Sequence, residues 1–210
     1  GARPSMGKTS FAMNIAANAS LNKHKVVAVF TLEMPREQIV MRMLCSDAKV
    51  DMQKVRKGTL SDEDWMKIAR SLQPMAGAKM FIDDTAGITP SQLRSRCRRL
   101  MMESGLDLIV LDYLGLMRAD SRTENRQQEV SEISRQLKAI ALELKVPLVA
   151  CAQLSRANYR YLHFKKPPKT TGREHFCTEY IEKALLYAPK DAKDIMTTLA
   201  MLCAKTITNA

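Results

Sequence analysis

The sequence contains no pattern that would hold a structural metal or a disulfide framework. Its five cysteines are widely spaced and form no C-x-x-C pair, and its three histidines form no ligand cluster. An odd number of scattered cysteines is typical of a protein from a reducing compartment. No apolar run reaches the length that spans a membrane, and no signal peptide is visible. These absences argue against a zinc protein, a disulfide-rich secreted protein and a membrane protein, and we expect a soluble, cytoplasmic protein.

Acidic residues are scarce relative to basic ones. The 210 residues include 33 lysines and arginines against 22 aspartates and glutamates, which gives a net charge of +11 and a pI near 9.6. Such a balance favours an anionic partner, either nucleic acid or a membrane surface, although an ordinary basic enzyme would show it too. The length suffices for one sizeable α/β domain.

Residues 1–9 read as a phosphate-binding loop. Their glycine, lysine and threonine at Gly7, Lys8 and Thr9 are the core of the G-x-x-x-x-G-K-[ST] pattern, although Ala2 occupies the place of its leading glycine. In such a loop the backbone N–H groups surround phosphates, the lysine reaches the outer phosphates, and the hydroxyl ligates Mg²⁺. A buried strand normally precedes this loop. Its absence here predicts a fragment, or a domain cut from a longer chain.

Short apolar runs alternate with amphipathic stretches along the chain, which predicts a parallel sheet covered by helices. The predicted strands are residues 26–32, 79–84, 108–112 and 146–153. The predicted helices begin near residues 7, 61, 90 and 125, and another, second along the chain, passes through Ile39, Met43 and Leu44. The first places Phe11, Ile15 and Ala19 on one face, and Trp65, Ile68 and Leu72 recur at helical spacing in the third.

Three polar residues end predicted strands, where open α/β sheets bind their ligands. Asp112 follows four apolar residues, as in a Walker B strand, and is expected to hold the Mg²⁺ shell. Glu33 is a candidate general base for the attacking water, and Gln153 a candidate sensor of the γ-phosphate. Taken singly, each has a plainer interpretation, as a capping aspartate, a solvated acid or a structural amide. The basic run Arg94–Arg99 is more often a solvated helix face than a nucleic-acid patch.

Several segments together resemble the C-terminal motor domain of bacterial replicative DNA helicases of the DnaB type. The matching segments are residues 1–9, 31–34, 37–38, 41–44, 81–85, 108–114, 124–135 and 152–156. The sequence ENRQQEVSEISR at 124–135 is far more specific than a phosphate-binding loop. The resemblance covers residues 1 to about 156 and implies a RecA-like P-loop NTPase core, ATP and Mg²⁺ as ligands, a homohexameric ring and translocation on single-stranded DNA.

The resemblance also implies roles for individual residues. The residues expected to contact phosphate are Ser5, Gly7, Lys8, Thr9 and Ser10. Arg42 is another nucleotide-side contact, Thr9 and Asp112 are the metal residues, and Glu33, Lys8 and Gln153 are the catalytic ones. The loop from Arg118 to Arg126, with Arg122 between them, is expected beside the DNA channel, where cations track the backbone. A primase and a helicase loader are further possible partners.

Residues 157–210 depart from this family. The segments resembling SDLRESGSIEQDAD and KQRNG, which supply a DNA loop and an arginine finger, do not occur there, so we assign no finger. We predict an incomplete motor domain at 1–156 and a divergent basic tail at 157–210, irregular or helical, with helices near 179–187 and 192–203. A frameshift, a gene fusion or an assembly error near codon 157 is our hypothesis for the tail.

Two other functions remain open from the sequence. One is a RecA-like DNA-binding ATPase that does not unwind DNA. The other is a catalytically incompetent helicase fragment that binds nucleotide or caps a partner ring. Loss of an arginine finger would remove orders of magnitude in rate, which favours the second.

Overall fold

The computed structural model describes residues 7–120 and 125–153 of the chain. The four strands are β1 (Val27–Thr31), β2 (Met80–Asp83), β3 (Leu108–Asp112) and β4 (Leu148–Ala150). The α-helices are α1 (Lys8–Ala17), α2 (Arg36–Ala48), α3 (Met52–Lys57), α4 (Asp62–Ala76), α5 (Pro90–Ser104) and α6 (Arg126–Leu144). A π-helical turn at Asn18–Asn22 extends α1, and a 3-10 turn at Leu114–Leu116 follows β3.

All four strands are parallel and lie in the order β2-β1-β3-β4. From β1 the chain passes outward to β2, and it then returns across β1 to reach β3 on the other side. This reversal makes the gap between the carboxyl ends of β1 and β3 a topological switch point, where open α/β sheets have their ligand crevice. The pairing of Thr31 with Asp112 fixes the edge of that crevice.

The sheet is buried on both faces at its centre. Every residue of β1 and β3 is buried, as expected for strands of a parallel sheet covered by helices. One face of these strands, with Phe30 and Leu111, packs against α5 and α6. Because side chains alternate along a strand, Thr31 and Asp112 point to the opposite face. Thr9 of α1 is hydrogen-bonded to Asp112, so α1 covers that second face.

Two helix starts follow the chemistry of their sequence. Thr89 caps α5 by accepting from the Gln92 N–H, and Pro90 occupies the first turn. Ser61 and Asp64 form the reciprocal capping box of α4. Both starts are confirmed where the sequence predicts them, and Leu93 and Cys97 of α5 pack into the core on the β1–β3 face.

The structure corrects several expectations about individual elements. α1 ends at Ala17, and Phe11 is 46% exposed although Ile15 and Ala19 are buried. In α4 only Ile68 of the three spaced apolar residues is buried. The short α3 was not predicted, and β4 is three residues long because pairing with β3 ends at Ala150.

The predicted helices near 179–187 and 192–203 lie outside the described residues. Among the helices of the described part, none is long and apolar enough to cross a bilayer.

Candidate nucleotide-binding site

The start of α1 presents its backbone N–H groups to the crevice. Gly7 precedes the helix at φ 80°, a left-handed conformation that glycine adopts without strain, and its carbonyl accepts from the Phe11 N–H at 2.9 Å. The first turn of α1 carries no acidic residue. The free N–H groups and the positive end of the helix dipole therefore favour an anion here. Ser10 is exposed in this turn, whereas Ser5 lies outside the described residues.

Thr9 and Asp112 meet across 103 positions of sequence. The Thr9 hydroxyl donates to Asp112 Oδ2 at 2.5 Å, and the Asp112 side chain is almost fully buried at 1% exposed. This contact links the first turn of α1 to the end of β3, directly at the switch point. The two residues predicted to hold the metal are thus brought together.

The second oxygen of Asp112 is buried without a partner. Among the described residues nothing donates a hydrogen bond to Oδ1. A buried carboxylate oxygen in this condition is costly unless a cation or water completes it. The donor set, a carboxylate and a hydroxyl, consists of the hard oxygen ligands that Mg²⁺ prefers. The residues present therefore fit a magnesium ion.

The backbone places Glu33 and Gln153 on the same edge of the sheet. Glu33 lies two residues beyond Thr31, which pairs with Asp112, and the Leu32 N–H donates to the Asp112 carbonyl at 2.7 Å. Gln153 lies beyond β4, whose Ala150 pairs with the residue before Asp112. Both side chains are exposed. A ligand in the crevice would therefore have a solvent-accessible carboxylate on one side of Asp112 and an amide on the other.

Two further residues of the site were missed by the sequence reasoning. The Lys8 Nζ lies 4.8 Å from the centre of the Tyr113 ring, within the range of a cation–π contact. Cys151 follows Ala150 and so lies beside Asp112. Burial, and after it the negative charge of Asp112, raises the pKa of the Cys151 thiol to about 12. This thiol therefore stays protonated, and it packs against the site as a neutral group.

Arg42 lies on α2, and one nitrogen of its guanidinium group is buried. Its Nε is buried and has no hydrogen-bond partner among the described residues. An unpaired buried donor with a positive charge would be stabilised by an anion, and the role of Arg42 as a nucleotide-side contact stays a prediction. That α2 packs against α1 is consistent with this placement.

The family follows from a comparison with known proteins. A family model described as the DnaB-like helicase C terminal domain matches residues 1–173. The chain belongs to this family.

Curated relatives of this helicase domain are closely similar. The chain is 52% identical over 156 residues to the replicative DNA helicase DnaC of Bacillus subtilis, covering 74% of this chain and 34% of that protein. It is 55% identical over 194 residues to DnaB of Haemophilus influenzae, covering 90% and 41%. The helicase domain described here thus spans about two-fifths or less of the length of these relatives.

Solved structures confirm the fold. A DnaB-like replicative helicase, described together with its interactions with primase, superimposes with a TM-score of 0.72 at 31% identity, over 80% of this chain and 41% of that one. A second solved structure, described as an ATPase domain, gives the same TM-score and identity over 82% and 61%. The predicted RecA-like P-loop core, with a parallel sheet flanked by helices, is confirmed.

A second family model overlaps the end of the helicase match. It is described as anhydro-N-acetylmuramic acid kinase and matches residues 141–210, a third of the chain. The helicase model itself runs past the predicted boundary at 156. The alignment to the Haemophilus influenzae helicase covers 90% of the chain. It must extend past residue 156, because 156 residues are only 74% of the chain. The boundary at 156 stays a prediction.

Two of the three arginines expected at the DNA channel of this helicase domain, Arg118 and Arg126, lie in the described part of the chain. Arg118 is exposed, and its Nε would be 2.9 Å from a Cβ added at Gly87. Arg126 begins α6 and donates to the Glu129 carboxylate and to the Gly115 carbonyl. Arg122 lies outside the described residues.

Most of the basic run on α5 is engaged in ion pairs within the domain. Arg94 and Arg98 both bind Glu143 of α6. Arg96 binds Asp83 and donates to the Thr85 hydroxyl at 2.8 Å. Hydrogen bonds from Arg94 and Arg98 hold the pKa of the Glu143 carboxyl below its usual range. The run is therefore mainly structural.

A cavity of about 450 Å³ lies between β2 and α5, away from α1. Its charged lining includes Arg96 and Asp83, which neutralise each other. Burial raises the pKa of Asp83, but the hydrogen bonds from Arg96 and Thr85 outweigh it and leave the pKa lowered. The Arg96–Asp83 pair thus links α5 to β2 across this cavity.

Proposed function

We propose that the chain carries the ATP site of a replicative helicase motor, which hydrolyses ATP to move along single-stranded DNA and unwind the duplex. The observation that carries the proposal is the Thr9–Asp112 contact at the switch point, beside the open N-terminus of α1. The close similarity to replicative helicases supports the same reaction. ATP and Mg²⁺ are the expected ligands.

Phosphoryl transfer depends on positioning and on neutralising charge. The backbone after Gly7, with the side chains of Ser5, Lys8 and Ser10, would hold the phosphates, and Arg42 would add a positive charge from α2. Thr9 and Asp112 would hold Mg²⁺, which when bound neutralises charge on the phosphate oxygens.

Two side chains at the edge of the sheet would act on the water and on the terminal phosphate. Glu33 would accept a proton from the attacking water. Gln153 would contact the terminal phosphate and respond to its loss. We assign no arginine finger.

Single-stranded DNA is the proposed track. Arg118, Arg122 and Arg126 would contact its phosphates, which is a salt-sensitive and sequence-tolerant mode of binding. The net charge of +11 is consistent with such a partner. Raising the salt concentration should weaken binding of a labelled oligonucleotide, with a shallower salt dependence for Arg118→Ala than for the unaltered chain.

A homohexameric ring in the cytoplasm is the proposed setting. A similar solved structure is described with primase, so primase is a proposed partner, as is a helicase loader. Size-exclusion chromatography with light scattering distinguishes a ring from a single chain.

The test of the proposed function is ATP turnover by the full chain with and without single-stranded DNA. DNA-stimulated turnover is expected, with loss in Lys8→Ala and retention in Lys23→Ala, an exposed lysine beyond α1. Strand displacement distinguishes the helicase from a DNA-binding ATPase that does not unwind. Nucleotide binding without turnover would support the catalytically incompetent alternative.

For residues 157–210 we propose a gene fusion as the origin of the tail. The match of residues 141–210 to a kinase family model favours fusion, whereas the extension of the helicase match to residue 173 counts against a junction at codon 157. Reading the coding DNA in all three frames past codon 157 tests this. A helicase segment in another frame would restore the frameshift explanation.

A further inference from the structure

The Tyr113 ring lies beneath the amino group of Lys8. The ring belongs to the residue that follows Asp112, and its centre is 4.8 Å from Lys8 Nζ. A lysine side chain loses about 2 kcal/mol of rotamer freedom when it is fixed. A contact that restricts Lys8 before phosphate arrives removes part of that loss from the binding step.

The ring is held in place by the backbone of Gly115. A Cβ added at Gly115 would lie 2.8 Å from Tyr113 Cε2, closer than carbon atoms approach in folded proteins. The ring therefore rests directly on the bare backbone of this residue. Any side chain at Gly115 would push the ring away from its position beneath Lys8.

The turn that contains Gly115 is itself fixed on both sides. The Leu114 N–H donates to the Cys151 carbonyl at 2.9 Å, which ties the turn to the end of β4. Arg126 donates to the Gly115 carbonyl from the start of α6. The support under the ring is thus anchored to two neighbouring elements.

We propose that Tyr113 is a positioning residue for Lys8, and that the bare backbone at Gly115 gives its ring the place it needs. The inference rests on the proposed function, in which Lys8 binds the outer phosphates. The aromatic face does the positioning, so a phenylalanine at 113 retains it and a leucine does not.

The first measurement reads the contact without nucleotide. The lysines of the full chain are dimethylated with ¹³C, which retains their charge, and the Lys8 signal is assigned from Lys8→Arg. A ring above or below a methyl group shifts its NMR signal upfield. The upfield shift is expected in the unaltered chain and in Tyr113→Phe, and its loss in Tyr113→Leu and Gly115→Ala. An unshifted Lys8 signal in the unaltered chain overturns the proposal.

The second measurement is equilibrium binding of a fluorescent ATP analogue with Mg²⁺. A cation–π contact at a partly exposed site predicts about a two- to five-fold weaker affinity in Tyr113→Leu and Gly115→Ala, with Tyr113→Phe close to the unaltered chain. Gly77→Ala is the matched control, because its Cβ would meet only ordinary contacts, the nearest at 3.7 Å.

Two outcomes separate this inference from the proposed function. Equal affinity in Tyr113→Leu and Tyr113→Phe, or tighter binding in Tyr113→Leu, overturns the positioning role alone. Failure of the unaltered chain to bind the analogue overturns the proposed function and this inference with it. Circular dichroism of each variant shows whether it has folded.

Discussion

Replacing Asp112 by asparagine should stabilise the ligand-free protein while removing its response to ATP and Mg²⁺. The carboxylate is 1% exposed, accepts a hydrogen bond from Thr9 at Oδ2, and leaves Oδ1 without a partner among the described residues. An unsatisfied buried polar group costs about 1–3 kcal/mol. We expect the free energy of unfolding to rise by about 1 kcal/mol, near the lower end of this range. Asparagine removes the buried charge, but its amide remains a buried polar group. For a chain of this length that rise increases Tm by about 2–4 °C.

Thermal unfolding with and without ATP and Mg²⁺ measures both halves of this prediction. Ligand at about a hundred times its Kd stabilises a protein by about 2.7 kcal/mol, which corresponds to a rise in Tm of roughly 5–10 °C for the unaltered chain. Asp112→Asn should show little of this rise. Asp47→Asn, at an exposed position of α2, should behave as the unaltered chain.

Two results would refute the reasoning. If Asp112→Asn lowers Tm in the absence of ligand, the unpartnered oxygen is not a cost to the fold. If the variant gains as much from ATP and Mg²⁺ as the unaltered chain does, Asp112 does not belong to the metal site.

Three further changes have expected outcomes. Glu33→Gln should retain ATP affinity but lower single-turnover hydrolysis by about a hundredfold or more, as for loss of a general base. Glu143→Gln should lower the urea midpoint at pH 7, because Arg94 and Arg98 lower the pKa of Glu143 in the folded state. The ionised carboxylate therefore stabilises the fold above its unfolded-state pKa of about 4.3, and this stabilisation disappears as the pH falls through the folded-state pKa. The deficit should therefore close below about pH 4.3. Gly87→Ala should destabilise the fold by about 1 kcal/mol, since φ is 62°, and should displace Arg118 and weaken binding of a single-stranded oligonucleotide.

Each of these has a result that counts against it. Undiminished hydrolysis in Glu33→Gln removes Glu33 as the base. A Glu143→Gln deficit that does not shrink as the pH falls below about 4.3 shows that packing, rather than charge, is responsible. Unchanged oligonucleotide binding in Gly87→Ala, measured by fluorescence anisotropy, separates Arg118 from DNA.

The two central strands could be predicted because their apolar residues indicate burial and the acidic residues at their ends indicate a binding edge. β1 is mostly apolar with Glu33 two residues beyond it, and β3 is an apolar run that ends in Asp112. Parallel strands bring such ends to one edge of the sheet. The meeting of Thr9 with Asp112 follows from that geometry. The strand 108–112 has the bounds that the sequence predicts.

The exposed faces could not be predicted in the same way. Helical spacing shows which residues share a face, but not whether another element covers it. Phe11, Trp65 and Leu72 are therefore apolar yet 46%, 58% and 51% exposed. The six-residue α3 is too short to show a period, although Asp51 caps it.

Contacts made by turns were equally hidden. The Tyr113–Lys8 contact depends on the backbone path after β3, which no local pattern specifies. The neutralisation of Arg94 and Arg98 depends on Glu143, 45 or more positions away. A basic run therefore indicates charge but not whether that charge is free.

The central claim is that Lys8, Thr9 and Asp112 form one ATP–Mg²⁺ site, and isothermal titration of the full chain with a non-hydrolysable ATP analogue tests it most directly. The account predicts one Mg²⁺-dependent site per chain. Affinity should fall at least tenfold in Lys8→Ala, consistent with loss of a charge-assisted hydrogen bond to phosphate, while Lys23→Ala binds as the unaltered chain does. Binding that is independent of Mg²⁺ and unaffected by Lys8→Ala would contradict it.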